Sequence, residues 1–319
     1  MSFSLSADSW SKPHDPFRAG PIVRRGGLRS MPHRISKKAP WNRYPYAALY
    51  AWIIAEHSYC EQRVHLWLKD PGERISVPRQ LEDSQEAASM ELAADSGRAS
   101  HESLSAGATP VTASDIAILQ QSGARFTLVE SPFQASFRGL PIVGAPDVVV
   151  CWGGAALLII DYKFTRQTQL AMGHRVQLYT YGYLVEEHGF DISNLKLACV
   201  LAPPEASESL SRSSPGLIEA IHEHIHLHAA RYPGAKNWRS KSLTFAGCNL
   251  LLRAFPYSRE QAERELGFVA DYWLGHRPAW PTSMPAKCSC CLYNKLRQCR
   301  EAVARYARLD AAPAALAEV

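Results

Sequence analysis

The residues best equipped for chemistry lie in one stretch, GAPDVVVCWGGAALLIIDYKF, residues 144–164. Asp147 and Asp161 sit at the ends of two neighbouring apolar runs, and Lys163 follows Asp161 by two positions. In an extended strand positions i and i+2 share a face, so Asp161 and Lys163 project together while Tyr162 points away. Charges among residues this apolar cost on the order of several kcal/mol unless they are paired or bind a metal. Two carboxylates with a lysine beside them suit a hard divalent cation, Mg²⁺ or Mn²⁺. Such a cation polarises a phosphodiester and generates hydroxide, with Lys163 orienting the attacking water or stabilising charge. The same residues also admit an internal salt bridge from Lys163 to the two acids.

The elements that must position these groups are strands. Leu140 to Trp152 is a nearly continuous apolar run and Ala155 to Phe164 is another, both expected to be buried on two faces. Gly153-Gly154 between them marks a tight hairpin. A two-residue loop would pair Asp147 with Ile160 and leave Asp161 on the other face. Facing acids therefore require an odd loop or a β-bulge, a geometry glycine supports. Arg125 to Phe137 alternates as a further strand. A helix is expected from about Gln167 to His188, closed by Gly189, and then a strand from Leu195 to Leu201, stopped by Pro203-Pro204. Residues 46–70 carry an apolar stripe (Tyr46, Leu49, Tyr50, Ile53, Ile54) and read as one helix. Residues 78–108 read as a helix or insertion with few core contacts, and 205–215 as a Ser/Pro-rich loop. Ser258-Arg-Glu-Gln261 reads as a capping box opening a helix to about Leu274.

The chain has 319 residues, 46% hydrophobic and 20% charged, enough to bury a large core. No apolar run approaches the roughly 20 residues that cross a bilayer. The start lacks the charged and apolar segments of a secretion signal, so a cytoplasmic location is expected. Charge is uneven. Residues 1–45 hold nine Lys/Arg against two acids, a local +7 within a total of +5. They are expected to form a solvated, flexible tail or a basic arm drawn to phosphate backbones. Residues 46–319 are expected to form a single domain.

Eight cysteines need sorting before any disulfide is drawn, and the four clustered near the C-terminus argue for metal ligation over disulfides. Cys151 and Cys199 lie in apolar runs and, like Cys248, read as buried small hydrophobes. Cys288, Cys290, Cys291 and Cys299 cluster in KCSCCLYNKLRQC, and Cys60 stands far upstream.

The pattern of Pro146-Asp147, thirteen intervening residues and Asp161-Tyr162-Lys163 resembles the signature of the PD-(D/E)XK nucleases. Gln177 and Tyr181, four apart and on one helical face with His174 one turn earlier, resemble the extra motif of the RecB-like branch. Gly97-x-x-x-His101 resembles that branch's histidine motif. Cys60 with Arg63, Cys288-x-x-Cys291-x-Tyr293 and Cys299 resemble the cysteine pattern of its iron–sulfur members. The closest likeness is to the CRISPR-associated RecB-like exonucleases of spacer acquisition, beside the nuclease domains of AddB-type recombination proteins.

This resemblance implies an α/β, restriction-endonuclease-like core: a mixed central sheet flanked by helices, with a C-terminal Cys-rich segment tied back to an N-terminal helix. It implies a metal-dependent DNA exonuclease acting on single strands or DNA ends. Asp147, Asp161, His101 and the Tyr162 carbonyl would bind Mg²⁺ or Mn²⁺, Lys163 would assist the nucleophile, and Gln177 and Tyr181 would position the strand or the lysine. Cys60, Cys288, Cys291 and Cys299 would hold a 4Fe–4S cluster. Two departures leave the ligand set open between Cys288, Cys290 and Cys291: the extra thiol of Cys290, and the seven residues separating Cys291 from Cys299. A four-cysteine zinc site is the competing occupant. Implied partners are DNA, and a CRISPR integrase or helicase and recombination proteins. The alternative function is a catalytically silent DNA-binding or assembly subunit.

Two further features are set aside. His222, His224, His226 and His228 alternate, but Leu217, Ile218, Ile221, Ile225 and Leu227 recur at helical spacing. A helix with mostly exposed histidines is expected rather than a metal site. Trp67, Trp273 and Trp280 read as packing residues rather than base-stacking platforms.

Overall fold

The computed structural model describes residues 22–25, 47–69, 109–111, 113–165, 168–203, 206, 210, 214–231, 242–289, 291–295 and 298–302. The expectations for residues 78–108, His101 and Cys290 lie outside them.

The long apolar segments do form strands, but prolines divide them. The expected strand 125–137 is two: β4 (Arg125–Val129) and β5 (Phe133–Phe137). The run 140–152 likewise becomes β6 (Leu140–Gly144) and β7 (Val148–Trp152). Pro132 and Pro146 lie at the two breaks, where a residue without an N–H cannot extend a ladder. Glu130, at φ 42°, turns the chain at the first break and donates its N–H to the Asp147 carbonyl at the second, 3.0 Å. A single long hairpin is thus bent into two sheets, and Asp147 sits at the bend.

Beyond the hairpin, β8 (Ala155–Phe164) and β9 (Lys196–Ala202) run parallel, joined by helix α4 (Met172–Glu187). β10 (Ser242–Phe245) and β11 (Cys248–Pro256) complete one edge. On the other side β1 (Ile22–Arg25) lies between β4 and β3 (Thr109–Val111), parallel to both. The sheet order is β10-β11-β9-β8-β7-β4-β1-β3. Part of the basic N-terminal segment is therefore a strand of the sheet. A second sheet, β2-β6-β5, begins with β2 (Leu49–Tyr50). The mixed sheet flanked by helices is the restriction-endonuclease-like architecture expected for the chain.

Each face of the large sheet has its own core. On one, Val148, Val150, Leu158, Ile160, Tyr162, Ala198 and Val200 meet Leu217, Ile218, Ile221 and Ile225 of α5 (Ser214–Arg231). Ala206 and Leu210, in the segment expected to be a loop, are buried in the same layer. On the other face, Val149, Cys151, Ile159, Leu197 and Cys199 meet α4. Against α4 pack α1 (Ala51–His57) and α6 (Arg259–Trp273), the latter capped by the Ser258 hydroxyl accepting from the Gln261 N–H at 3.2 Å. Short α3 (Ala113–Gln121) precedes β4. The histidines of α5 differ from expectation: His226 is exposed, but His222 is half-buried beside Arg125. Burial first, then the Arg125 and His226 charges, lowers its pKa to about 4.

The helix expected over 46–70 is interrupted. After α1 the chain turns through Ser58, Tyr59 and Cys60 before α2 (Glu61–Lys69). The tertiary structure uses that break. Lys287 of α7 (Pro285–Ser289) donates to the Ser58 and Tyr59 carbonyls at 3.3 Å each, and the Tyr59 hydroxyl donates to the Lys287 carbonyl at 3.2 Å. Glu61, 2% exposed, accepts from both Arg277 terminal nitrogens and from the Trp280 N–H, 2.9 Å. Buried Trp273 donates its indole N–H to His57 Nε2 at 2.9 Å, which leaves His57 Nδ1 to donate to Glu61 Oε1 at 3.3 Å. The C-terminal segment is thereby tied to the N-terminal helices. Trp280 itself is 54% exposed and meets Phe268 edge to face at the rim, and Trp67 packs half-buried against Trp52.

Burial raises the Glu61 pKa, but Arg277, His57 and the Trp280 N–H outweigh it and bring it from 4.5 to about 2. A depressed carboxyl stabilises the fold above its unfolded pKa and loses that stabilisation as pH falls through its folded value. Glu61→Gln is expected to cost about 2–4 kcal/mol at neutral pH. It should also flatten the stability loss between pH 4.5 and about 2 in denaturant titrations, the window set by this shift.

Candidate active site

The hairpin register decides where the acids face. Trp152 pairs with Ala155 across Gly153-Gly154, and Cys151 pairs with Ala156. The next pair is Val150 with Leu158, so Leu157 is an extra residue in β8. Gly153 occupies the left-handed region at φ 54°, which a two-residue hairpin turn requires. The turn is therefore even, and the bulge supplies the odd residue that facing acids need. Continuing the register from Val148↔Ile160 sets Asp147 against Asp161, on the α4 side of the sheet. Tyr162 points into the α5 layer, and its backbone N–H donates to Asp147 Oδ2 at 2.7 Å.

Asp147 is 8% exposed and Asp161 1%. Lys163 Nζ lies 3.1 Å from Asp161 Oδ1 and 2.9 Å from Oδ2, and donates to Gln177 Oε1 at 3.3 Å. Burial pulls the Lys163 pKa down, but the charges of Asp161 and Asp147 win and raise it above its ordinary value. A raised lysine stabilises the fold below its unfolded pKa and loses this as pH rises through the folded value, so the pair persists across neutral pH. The internal salt bridge is thus present between Lys163 and Asp161.

Gln177 and Tyr181 lie on the α4 face turned to this pair. Gln177 Nε2 donates to the Tyr181 hydroxyl at 2.6 Å, which directs its carbonyl oxygen to Lys163. Tyr181 is 5% exposed, and burial with the two acids raises its pKa, so it stays neutral. Gly144 of β6 makes room for that ring: a Cβ there would stand 2.9 Å from Tyr181 Cε1. His174 is drawn in as well. Burial and the Lys163 charge lower its pKa to about 4, and its Nδ1 is buried without a hydrogen-bond partner among the described residues. Its place three residues before Gln177 was the sequence signal for this proximity.

The four cysteines Cys60, Cys288, Cys291 and Cys299 line one cavity, together with Tyr59, Arg63 and Tyr293. Burial raises the Cys299 thiol pKa, opposed by a backbone hydrogen bond at Glu301 and aided by the charges of the other three cysteines. Cys151 and Cys199 are fully buried in the sheet, and Cys199 of β9 pairs in register with Asp161. Among the described residues no set of three or more His, Cys, Asp or Glu is arranged to hold a metal ion. The donor types nonetheless fit their groups. Two facing carboxylates suit a hard cation, and four thiols on one partly buried cavity suit iron or zinc.

A model of the PD-(D/E)XK nuclease superfamily matches residues 57–299, which contain every residue of this constellation. The chain belongs to the PD-(D/E)XK nuclease superfamily. It is on that basis a nuclease-type hydrolase, of a superfamily that generally uses Mg²⁺ or Mn²⁺ and acts on DNA. No curated protein matches the chain. Among solved structures it is similar to "Crystal structure of SSO0001", at 11% identity and TM-score 0.40, over 80% of this chain and 87% of that one. No helix among the described residues of this PD-(D/E)XK protein is long and apolar enough to cross a membrane.

Tyr181→Phe removes the acceptor that fixes the Gln177 amide. It is expected to cost about 1 kcal/mol in chemical denaturation, with the fold retained.

Proposed function

We propose that this PD-(D/E)XK protein is a Mg²⁺- or Mn²⁺-dependent DNA exonuclease that digests single strands or duplex ends. The observation that carries the reading is the convergence of Asp147, Asp161 and Lys163 on one face, with Gln177 and Tyr181 behind the lysine. The two carboxylates would hold the cation, joined by the Tyr162 carbonyl and His101. The bound cation supplies a polarised phosphodiester and a hydroxide nucleophile. Lys163 places a fixed positive charge where negative charge builds on the phosphate oxygens. Gln177, locked by Tyr181, holds that ammonium in place, so its geometry is set before the strand arrives. The basic residues 1–45 would attract the strand's backbone, an attraction that weakens with salt.

Cys60, Cys288, Cys291 and Cys299 would hold a 4Fe–4S cluster, with zinc as the rival occupant. They lie on the segments that Lys287, Arg277 and Glu61 already join, so the cluster's part is to reinforce that junction. The reading includes residues 46–319 as one domain, a cytoplasmic location, and a CRISPR integrase or a helicase-type recombination complex as partner.

The test uses protein purified without oxygen, offered labelled linear single strands, linear duplex and closed circles with Mg²⁺ or Mn²⁺. Linear DNA is expected to disappear only with metal, circles to survive, and Asp161→Ala to lose at least ~10²-fold in rate. Full activity in Asp161→Ala overturns the site, and cut circles overturn the exonuclease reading. Iron and sulfide lost in Cys60→Ala would support the cluster, whereas zinc without iron would replace it.

A further inference from the structure

Lys163 faces a difficulty that the proposed chemistry creates. In the protein by itself its ammonium is held by both oxygens of Asp161 and by Gln177. Those Asp161 oxygens are the ones offered to a cation during cleavage. An ammonium with three donors then keeps Gln177 and must place the others elsewhere. A donor left unpaired where water is scarce is costly, the more so when it is charged.

The helix that carries Gln177 provides an acceptor one turn away. His174 lies in the first turn of α4, on the face that carries Gln177 one turn later, and Gln177 accepts from Lys163 at 3.3 Å. Its Nδ1 is buried and makes no hydrogen bond with the described residues. The first turn of α4 is held in place by packing: a Cβ at Gly173 would stand 2.9 Å from the Ala55 carbonyl of α1. The next side chain, Arg175, is turned away onto Tyr179 and Phe255. His174 therefore remains in the site with its ring neutral at pH 7 and a lone pair available.

We propose that His174 is a positioning residue for Lys163, whose Nδ1 accepts a hydrogen bond from the ammonium when Asp161 releases it. The proposal rests on the nuclease reading for its purpose, but the hydrogen bond can be tested without cleavage. Asp161→Asn releases the ammonium from its carboxylate in the absence of any metal. In full-length protein labelled with ¹⁵N-histidine, the His174 resonances are identified by their loss in His174→Asn. The expected wild-type ring carries its proton on Nε2. In Asp161→Asn its Nδ1 signal should move upfield to the hydrogen-bonded position, and adding Lys163→Met should reverse the move. A proton on Nδ1 in the wild type, or a signal that neither substitution moves, overturns the proposal.

Kinetics supply the second arm. His174→Ala is expected to lower kcat about tenfold at unchanged KM, and His174→Asn, whose amide oxygen can replace Nδ1, to restore most of it. Equal losses in the two variants overturn the positioning role. Wild-type protein that cleaves nothing would strike down the nuclease reading and leave the spectroscopic result standing.

Discussion

The position of a single extra residue governs the rest of the site. With Leu157 bulged out of β8, the residues that follow it exchange faces relative to a regular hairpin. Leu158, Ile160 and Tyr162 go to the α5 layer, and Ile159, Asp161 and Lys163 go to α4. Without the bulge Asp161 would enter an apolar layer filled by Leu217, Ile221 and Ile225, where a carboxylate has no partner. A register slip of one residue is therefore both a stability error and the loss of the site. The same constraint aligns Asp147, which lies one position beyond β7 at the bend between the two sheets.

From that alignment the polar network assembles in order. Tyr162 holds Asp147 through its backbone, Asp161 holds Lys163, and Gln177 carries the lysine's remaining contact to Tyr181. The acids, Gln177 and Tyr181 are buried and Lys163 is partly buried, and the charges of Asp161 and Asp147 keep its ammonium protonated against the cost of burial. The network runs from the sheet to α4, and α4 is held by α1 and α6. These in turn are joined by the His57–Trp273 and Glu61–Arg277 contacts. The C-terminal segment bearing three of the cysteines is thus coupled to the site through packed helices.

Much of this could be read from the sequence. The apolar runs, the Gly153-Gly154 turn and the hydroxyl cap at Ser258 are local, because each depends on a few neighbouring residues and on backbone geometry. The Asp147, Asp161 and Lys163 set was visible from residue type and parity alone. Less visible were the breaks at Pro132 and Pro146. A proline shows that a ladder must pause, but not that the chain will cross from one sheet to another there. The helix expected over 46–70 failed for a related reason. Its periodicity is real, but the turn at Ser58-Tyr59-Cys60 is stabilised by Lys287, more than two hundred residues away.

The sequence by itself determined the chemistry available: two acids, a lysine, a Gln/Tyr pair and four thiols at spacings that a strand or helix converts into shared faces. Only the tertiary structure decided which of these groups meet. Leu157 bulges because two sheet layers must both be filled, and no single segment carries that requirement. Ile22–Arg25 lies between β3 and β4 as a parallel strand, whatever its basic charge suggests. The first turn of α4, which carries His174 on the face of Gln177, lies against α1 because Gly173 leaves room for the Ala55 carbonyl. Local pattern fixes which face a side chain takes on its own element; the packing of distant elements fixes what that face meets.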